Sequence, residues 1–283
     1  MKEVFGFDCY SPKEIAERVE NVGVTKANLP LLSQVALGVL AGGFIGLGAM
    51  FFTLVVSDVS LSFALSRVLG GAAFSLGLIL VVVAGAELFT GNNLLVMAAV
   101  AGRIPASRFL QNLVVIYLAN FIGAVGLAAL VALSGHWQMG NSVVGKAAVS
   151  IAVAKCALPF GEAFFKGVLC NVLVCLAVWL AMAGRTVTDK VLAIVFPVAA
   201  FVACGFEHSV ANMYLIPLGI FLREHAVAVG AVNIELLNWA GLARNLLPVT
   251  LGNLVGGAGM VGLVYWVIYR RGAPSVPARP PSP

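Results

Sequence analysis

Long apolar runs, each near the thickness of a bilayer's hydrocarbon core, alternate with short polar segments along most of this chain. A spanning helix needs about 20 consecutive apolar residues, and six segments qualify: 33–56, 68–101, 109–134, 158–182, 190–222 and 245–269. The second and fifth are too long for one crossing. Each is interrupted by polar residues at the same spacing, Glu87-Leu-Phe-Thr-Gly-Asn92 and Glu207-His-Ser-Val-Ala-Asn212. Backbone that leaves the helix at membrane depth is tolerated only where protein or a cavity surrounds it. Breaks near 85–91 and 204–209 therefore predict two half-helices meeting at a membrane-centred site.

The third and sixth spans match as well, Asn120-Phe-Ile-Gly123-Ala-Val-Gly126 beside Asn253-Leu-Val-Gly256-Gly-Ala-Gly259. Three matches in the same order predict two three-helix halves, about 31–135 and 156–271, within a channel domain over 31–271. With an odd number of spans per half, the second half must cross the bilayer in the opposite sense. The predicted fold class is an all-α membrane protein of six transmembrane helices, an inverted three-helix repeat with the second and fifth helices broken and a pathway along the repeat interface.

Ahead of the spans, Ser11-Pro12-Lys13-Glu14 reads as a capping box with proline at the first helical position, and Ile15, Val19 and Val22 follow at helical spacing. An amphipathic helix is expected at 12–27, in an N-terminal cytoplasmic segment over 1–30. It suits either an interfacial anchor or a gate closing the pore from inside. The first thirty residues have no apolar run of the kind a cleavable signal carries, so the N-terminus is expected to stay in the mature chain. From about Gly272 the chain turns Pro-rich, which predicts a disordered tail over 272–283.

Composition agrees with a membrane protein: 61% of residues are apolar, 10% are charged, and mean hydropathy is +1.02. The net charge of +5 is chiefly a topology signal. An N-terminus in the cytoplasm places Lys2, Lys13, Arg18, Lys26, Arg103, Arg108, Arg185, Lys190, Arg270, Arg271 and Arg279 inside, against Arg67, Lys146, Lys155, Arg223 and Arg244 outside. That bias predicts both termini inside. No basic face with interleaved aromatics suggests nucleic acid. The cysteines, Cys9, Cys156, Cys170, Cys175 and Cys204, lack metal-ligand spacing and read as small helix residues. Gly38, Gly42 and Gly46, like Gly252 and Gly256, form small-residue ladders whose partners, within the chain or between subunits, spacing leaves open.

The second break carries His208, the one histidine predicted at membrane depth, since His136 and His225 fall in loops. A histidine there suits a pathway for an anion that must share or lose its charge in a dry constriction. Thr90 lies at a matching depth in the first break, where its hydroxyl could bond His208 or a passing oxygen. Phe74, Leu78, Leu88, Phe89 and Phe201 flank the breaks, either as core packing or as a constriction. Glu87 and Glu207 are expected to be structural, accepting hydrogen bonds from backbone N–H groups freed at the breaks, and Asn92 and Asn212 close the same motifs. Asn120 and Asn253 are expected to bond across helices. No catalytic motif appears, and neither an enzyme activity nor a cofactor or metal is expected.

Glu87-Leu-Phe-Thr-Gly-Asn92, Lys166-Gly-Val-Leu-Cys-Asn171-Val-Leu-Val-Cys175 and Gly205-Phe-Glu-His208-Ser-Val-Ala-Asn212-Met resemble the signatures of the formate/nitrite transporter family, over about residues 10–270. The resemblance implies an aquaporin-like fold, a homopentamer with a pore in each protomer, and a multi-pass protein of the bacterial inner membrane. It implies that His208 and Thr90 form a central polar pair with Asn171 beside it. Leu78 and Phe201 would form one constriction, and Phe74, Leu88 and Phe89 the other. Lys155 would draw anions into an outer vestibule, and the N-terminal helix resembles a pH-responsive segment. The expected function is a channel or proton-coupled transporter of small weak-acid anions, formate first, with nitrite and hydrosulfide as alternatives. Proton-linked transport of larger monocarboxylates such as lactate or acetate is a second class, and a cofactor-binding membrane subunit using His208 a third.

Overall fold

A computed structural model describes residues 9–224 and 234–272; His225 and, beyond Gly272, the Pro-rich tail lie outside them. The elements run in the order α1 (Pro12–Ala27), α2 (Leu31–Val56), α3 (Phe63–Gly85), α4 (Phe89–Val100), α5 (Ala106–Leu133), α6 (Met139–Cys156), α7 (Phe160–Ala183), α8 (Val187–Ala203), α9 (Ser209–Phe221) and α10 (Trp239–Tyr269). No strand occurs among the described residues. Of these helices α2, α3, α5, α7 and α10 are each long and apolar enough to cross a membrane. The fifth predicted span is divided between α8 and α9, as the second is between α3 and α4.

The ends of the elements follow from local sequence. The capping box at α1 forms as expected: Ser11 Oγ accepts from the Glu14 N–H, and Glu14 Oε2 accepts from the Ser11 N–H at 2.8 Å. These Ser11 bonds hold the Glu14 carboxyl below its ordinary pKa. The first half-helix of each broken pair stops at a glycine with positive φ, Gly85 (+87°) and Gly205 (+72°), a conformation a β-carbon disfavours. Three extended or irregular residues follow before the next helix starts.

One element falls between the predicted halves. α6 begins with a left-handed turn at Gly140, Asn141 and Ser142 and then runs as a regular helix to Cys156. It stands before α7 as α1 stands before α2, and both end in the same pentad pattern, Lys26-Ala-Asn-Leu-Pro30 and Lys155-Cys-Ala-Leu-Pro159. Each repeat therefore consists of a short helix, a spanning helix, a broken pair and a second spanning helix.

Packing joins the elements at glycine. A β-carbon at Gly42 would fall onto the carbonyl of Asn120 in α5, and one at Gly252 onto the carbonyl of Phe164 in α7. The glycine ladders thus serve contacts within the chain, α2 on α5 and α10 on α7. Large apolar side chains including Leu32, Leu133 and Phe196 stay exposed on the outside of the bundle, where a bilayer or a second copy would cover them.

Candidate functional site

The two breaks are each built around one asparagine from a spanning helix. Asn120 Nδ2 donates to the carbonyls of Gly38 (2.8 Å) and Glu87 (2.9 Å), while its Oδ1 accepts from the Phe89 N–H (2.9 Å). Asn253 repeats this with Gly167 (2.8 Å), Glu207 (3.0 Å) and the Ser209 N–H (3.0 Å). A side-chain amide suits this place because it donates and accepts at once. Backbone groups left over by the interruption are thereby satisfied without water.

The carboxylates do something other than expected. Glu87 and Glu207 accept from side chains, and the freed backbone amides go to the asparagines and to carbonyls. Glu87 takes Lys26 Nζ at 3.0 Å and Asn92 Nδ2 at 2.7 Å. Glu207 takes Lys155 Nζ at 2.8 Å and Asn212 Nδ2 at 2.7 Å. Asn92 and Asn212 in turn donate to Asn112 and Asn245. The physical reason is charge: a buried carboxylate needs a counter-ion as well as hydrogen bonds, and the short helix that opens each repeat, α1 or α6, ends by delivering a lysine to it.

Lys26, Asn112 and Asn245 were not singled out by the sequence reading, although signals for them exist. Lys26 shares its pentad pattern with Lys155, and Asn112 and Asn245 each precede the bridging asparagine by the same interval (120 − 112 and 253 − 245, both 8).

Between the two breaks lies the Thr90–His208 pair, Oγ1 to Nε2 2.9 Å, with both residues buried. His208 Nδ1 accepts from the Ala211 N–H at 3.0 Å and so caps α9. An acceptor Nδ1 bears no proton, so the neutral ring is the Nε2–H tautomer and donates to Thr90 Oγ1. The Thr90 hydroxyl proton is then available to a guest. Asn171 sits beside the pair but does not line either cavity described below. Its Nδ2 donates to the Thr90 carbonyl (3.3 Å) and to that of Asn253 (2.6 Å), so it positions Thr90 from behind.

Two cavities approach this pair from opposite ends of the bundle. One, about 300 Å³, is lined by Lys26, Glu87, Leu78 and Leu88 together with Val19 and Gly23 of α1. The other, about 250 Å³, is lined by Lys155, Glu207, His208, Phe74 and Phe201. They share no lining residue. Phe74 and Phe201 meet edge to face at 5.7 Å, and Phe201 stacks on the His208 ring at 6.0 Å. The apolar residues thus group as Leu78 with Leu88 and Phe74 with Phe201, not as the resemblance grouped them. Phe89 lies against Tyr117 (4.8 Å) and lines neither cavity.

Comparison with known proteins adds the following. The formate/nitrite transporter family matches residues 13–267. The formate channel FocA of Escherichia coli strain K12 is 40% identical over 282 residues, covering 96% of this chain and 98% of that one. The formate channel BtFdhC of Bacillus thuringiensis is 39% identical over 264 residues, 93% and 96% of the two chains. A solved structure described as a pentameric formate channel with formate bound aligns with a TM-score of 0.76 and 37% identity, over 84% of this chain and 97% of that one.

Proposed function

This chain belongs to the formate/nitrite transporter family, and from that premise we propose that it is a homopentameric channel for small monovalent weak-acid anions, formate foremost, with an independent pathway through each protomer. The observation that carries the reading is the buried Thr90–His208 pair set between two separate cavities, each with a lysine at its wall. In this reading the chain crosses the membrane six times, with both termini cytoplasmic, in the bacterial inner membrane. The Lys26 cavity then faces the cytoplasm and the Lys155 cavity the outside.

The mechanism follows from desolvation. A bare carboxylate crossing the apolar gap between the cavities would lose several kcal/mol of hydration, whereas the neutral acid loses little. An anion drawn into either cavity reaches Phe74 and Phe201, or Leu78 and Leu88, and crosses as the acid, having gained a proton from water in the cavity; the His208 ring stays neutral, with its Nε2–H held on the Thr90 oxygen. The Thr90 hydroxyl donates to the acid's carbonyl oxygen on the way. Asn171 and Asn253 keep the two breaks, and so that hydroxyl and ring, in register. Chloride has no accessible neutral form and is excluded on the same grounds.

Formate uptake into proteoliposomes tests this, over a pH series with nitrite, chloride and lactate as competitors. Saturable formate entry that rises with acidity and alkalinises the outside medium is the expected result. Nitrite flux without formate flux in the same vesicles would retain the pathway and reassign its substrate.

A further inference from the structure

Arg67, near the start of α3, is the cation at the Lys155 cavity without a carboxylate partner among the described residues. Its Nε donates to the Ala203 carbonyl at 2.9 Å and its Nη2 to the Val202 carbonyl at 2.8 Å, at the C-terminal end of α8. The remaining guanidinium N–H groups have no protein partner among the described residues, and Arg67 lines the cavity together with Lys155, Lys166 and His208. Gly205 makes room for it, because a β-carbon there would lie 3.1 Å from Arg67 Nη2.

The lysine beside it is poorly placed to attract an anion by itself. Lys155 is locked to Glu207 at 2.8 Å with only 14% of its side chain exposed, so at a distance the pair acts as a dipole rather than a charge. Lys166 is answered by Glu162 at 3.3 Å. The exposed carbonyls ending α8 also contribute the negative end of a helix dipole at this mouth, which Arg67 covers. Its guanidinium keeps its charge at every accessible pH and presents a flat fork suited to a carboxylate.

The two cavities differ in this respect. Charged residues lining the Lys26 cavity are Lys26 and Glu87, which cancel. Those lining the Lys155 cavity are Arg67, Lys155, Lys166 and Glu207; with Lys155 paired to Glu207 and Lys166 to Glu162, Arg67 is the positive charge left over. The position of Arg67 in the repeat is taken in α8 by Val187 (67 + 120, the offset relating Glu87 to Glu207), so the inverted repeat does not supply its equivalent.

We propose that Arg67 forms an anion-docking subsite in the Lys155 vestibule, which binds a small monovalent anion before it reaches Phe74, Phe201 and His208. The subsite makes loading of the channel asymmetric between its two faces. This rests on the anion-channel reading above and deepens it. A bland role, in which Arg67 only caps α8, predicts different behaviour, and the charge-retaining and charge-removing variants separate the two.

The test uses full-length protein in proteoliposomes of one orientation, scored by protease access to the N-terminal segment. Formate half-saturation is measured from each face at low and at about 1 M salt, where the screening length falls to about 3 Å. Arg67→Gln is expected to raise half-saturation at the Lys155 face about three- to tenfold at low salt, to converge on the parent at high salt, and to leave the opposite face unchanged. Arg67→Lys is expected to stay near the parent. Parent-like behaviour of the Gln variant at low salt overturns the proposal, as does equal impairment of both variants at both faces, which is the signature of a cap alone. Should the Gln variant fail to assemble, the parent decides: half-saturation must rise more steeply with salt at the Lys155 face, and equal slopes overturn the proposal. A parent that carries nitrite and no formate refutes the formate reading only, and the same ratios taken with nitrite then judge Arg67.

Discussion

His208 shows how one side chain can hold both a fold and a passage. Its Nδ1 ends a helix and its Nε2 faces Thr90, so neither nitrogen is idle. An asparagine in its place can still cap α9, since Asn ranks among the best N-cap residues, but it has no ring N–H to hold the Thr90 hydroxyl oxygen. His208→Asn is therefore expected to assemble normally while the anion selectivity or the pH dependence of flux changes, measured by the uptake assay above with its competing anions. Flux equal to the parent's at every pH would remove the ring from the mechanism. The histidine and threonine were legible in the sequence because a polar residue inside a membrane-length apolar run has few explanations. The roles of Glu87 and Glu207 were not. Their lysine partners lie 61 and 52 residues away (87 − 26 and 207 − 155), and no local pattern shows that a short helix brings each one back.

At the level of elements, the broken pairs depend on amides borrowed from other helices. Replacing Asn253 by Ala strands the Ser209 N–H and the carbonyls of Gly167 and Glu207 in a dry interior. Each buried group left unsatisfied costs about 1–3 kcal/mol, so Asn253→Ala is expected to lower the thermal midpoint of the detergent-solubilised protein markedly and to reduce flux with it. Asn253→Asp, which keeps the acceptor and loses the donors, is expected to fall short of rescue. Thermal melts of the two variants against the parent check this. The spanning helices were legible from hydropathy alone, whereas α6 was not. Its first turn is left-handed at Gly140, Asn141 and Ser142, its composition is that of a partly buried helix of small residues, and it crosses nothing. Only the repeated Lys-x-x-Leu-Pro pattern marks it as the counterpart of α1.

At the scale of the whole molecule, α1 is tied to the end of α10 by an ion cluster. Glu20 of α1, only 2% exposed, takes Arg270 at 2.6 Å and Arg103 at 3.6 Å. Removing one partner from a buried ion cluster leaves charge uncompensated, at a cost of about 3–5 kcal/mol. Glu20→Gln should accordingly raise hydrogen exchange across α1 and around Arg270 while leaving α7 and α9 protected; unchanged exchange in α1 would mean that its apolar face alone holds it. The pseudo-symmetry seen in the asparagines and lysines extends to the two hollows, with an uncharged stretch of leucine, phenylalanine, threonine and imidazole between them. That stretch determines which gradient can do work on the cargo. A unit charge moved across 100 mV exchanges about 2.3 kcal/mol with the membrane, but a neutral acid exchanges none. On the proposed route the membrane voltage neither drives nor resists passage, and the difference in acidity between the two compartments sets how far the cell fills or empties.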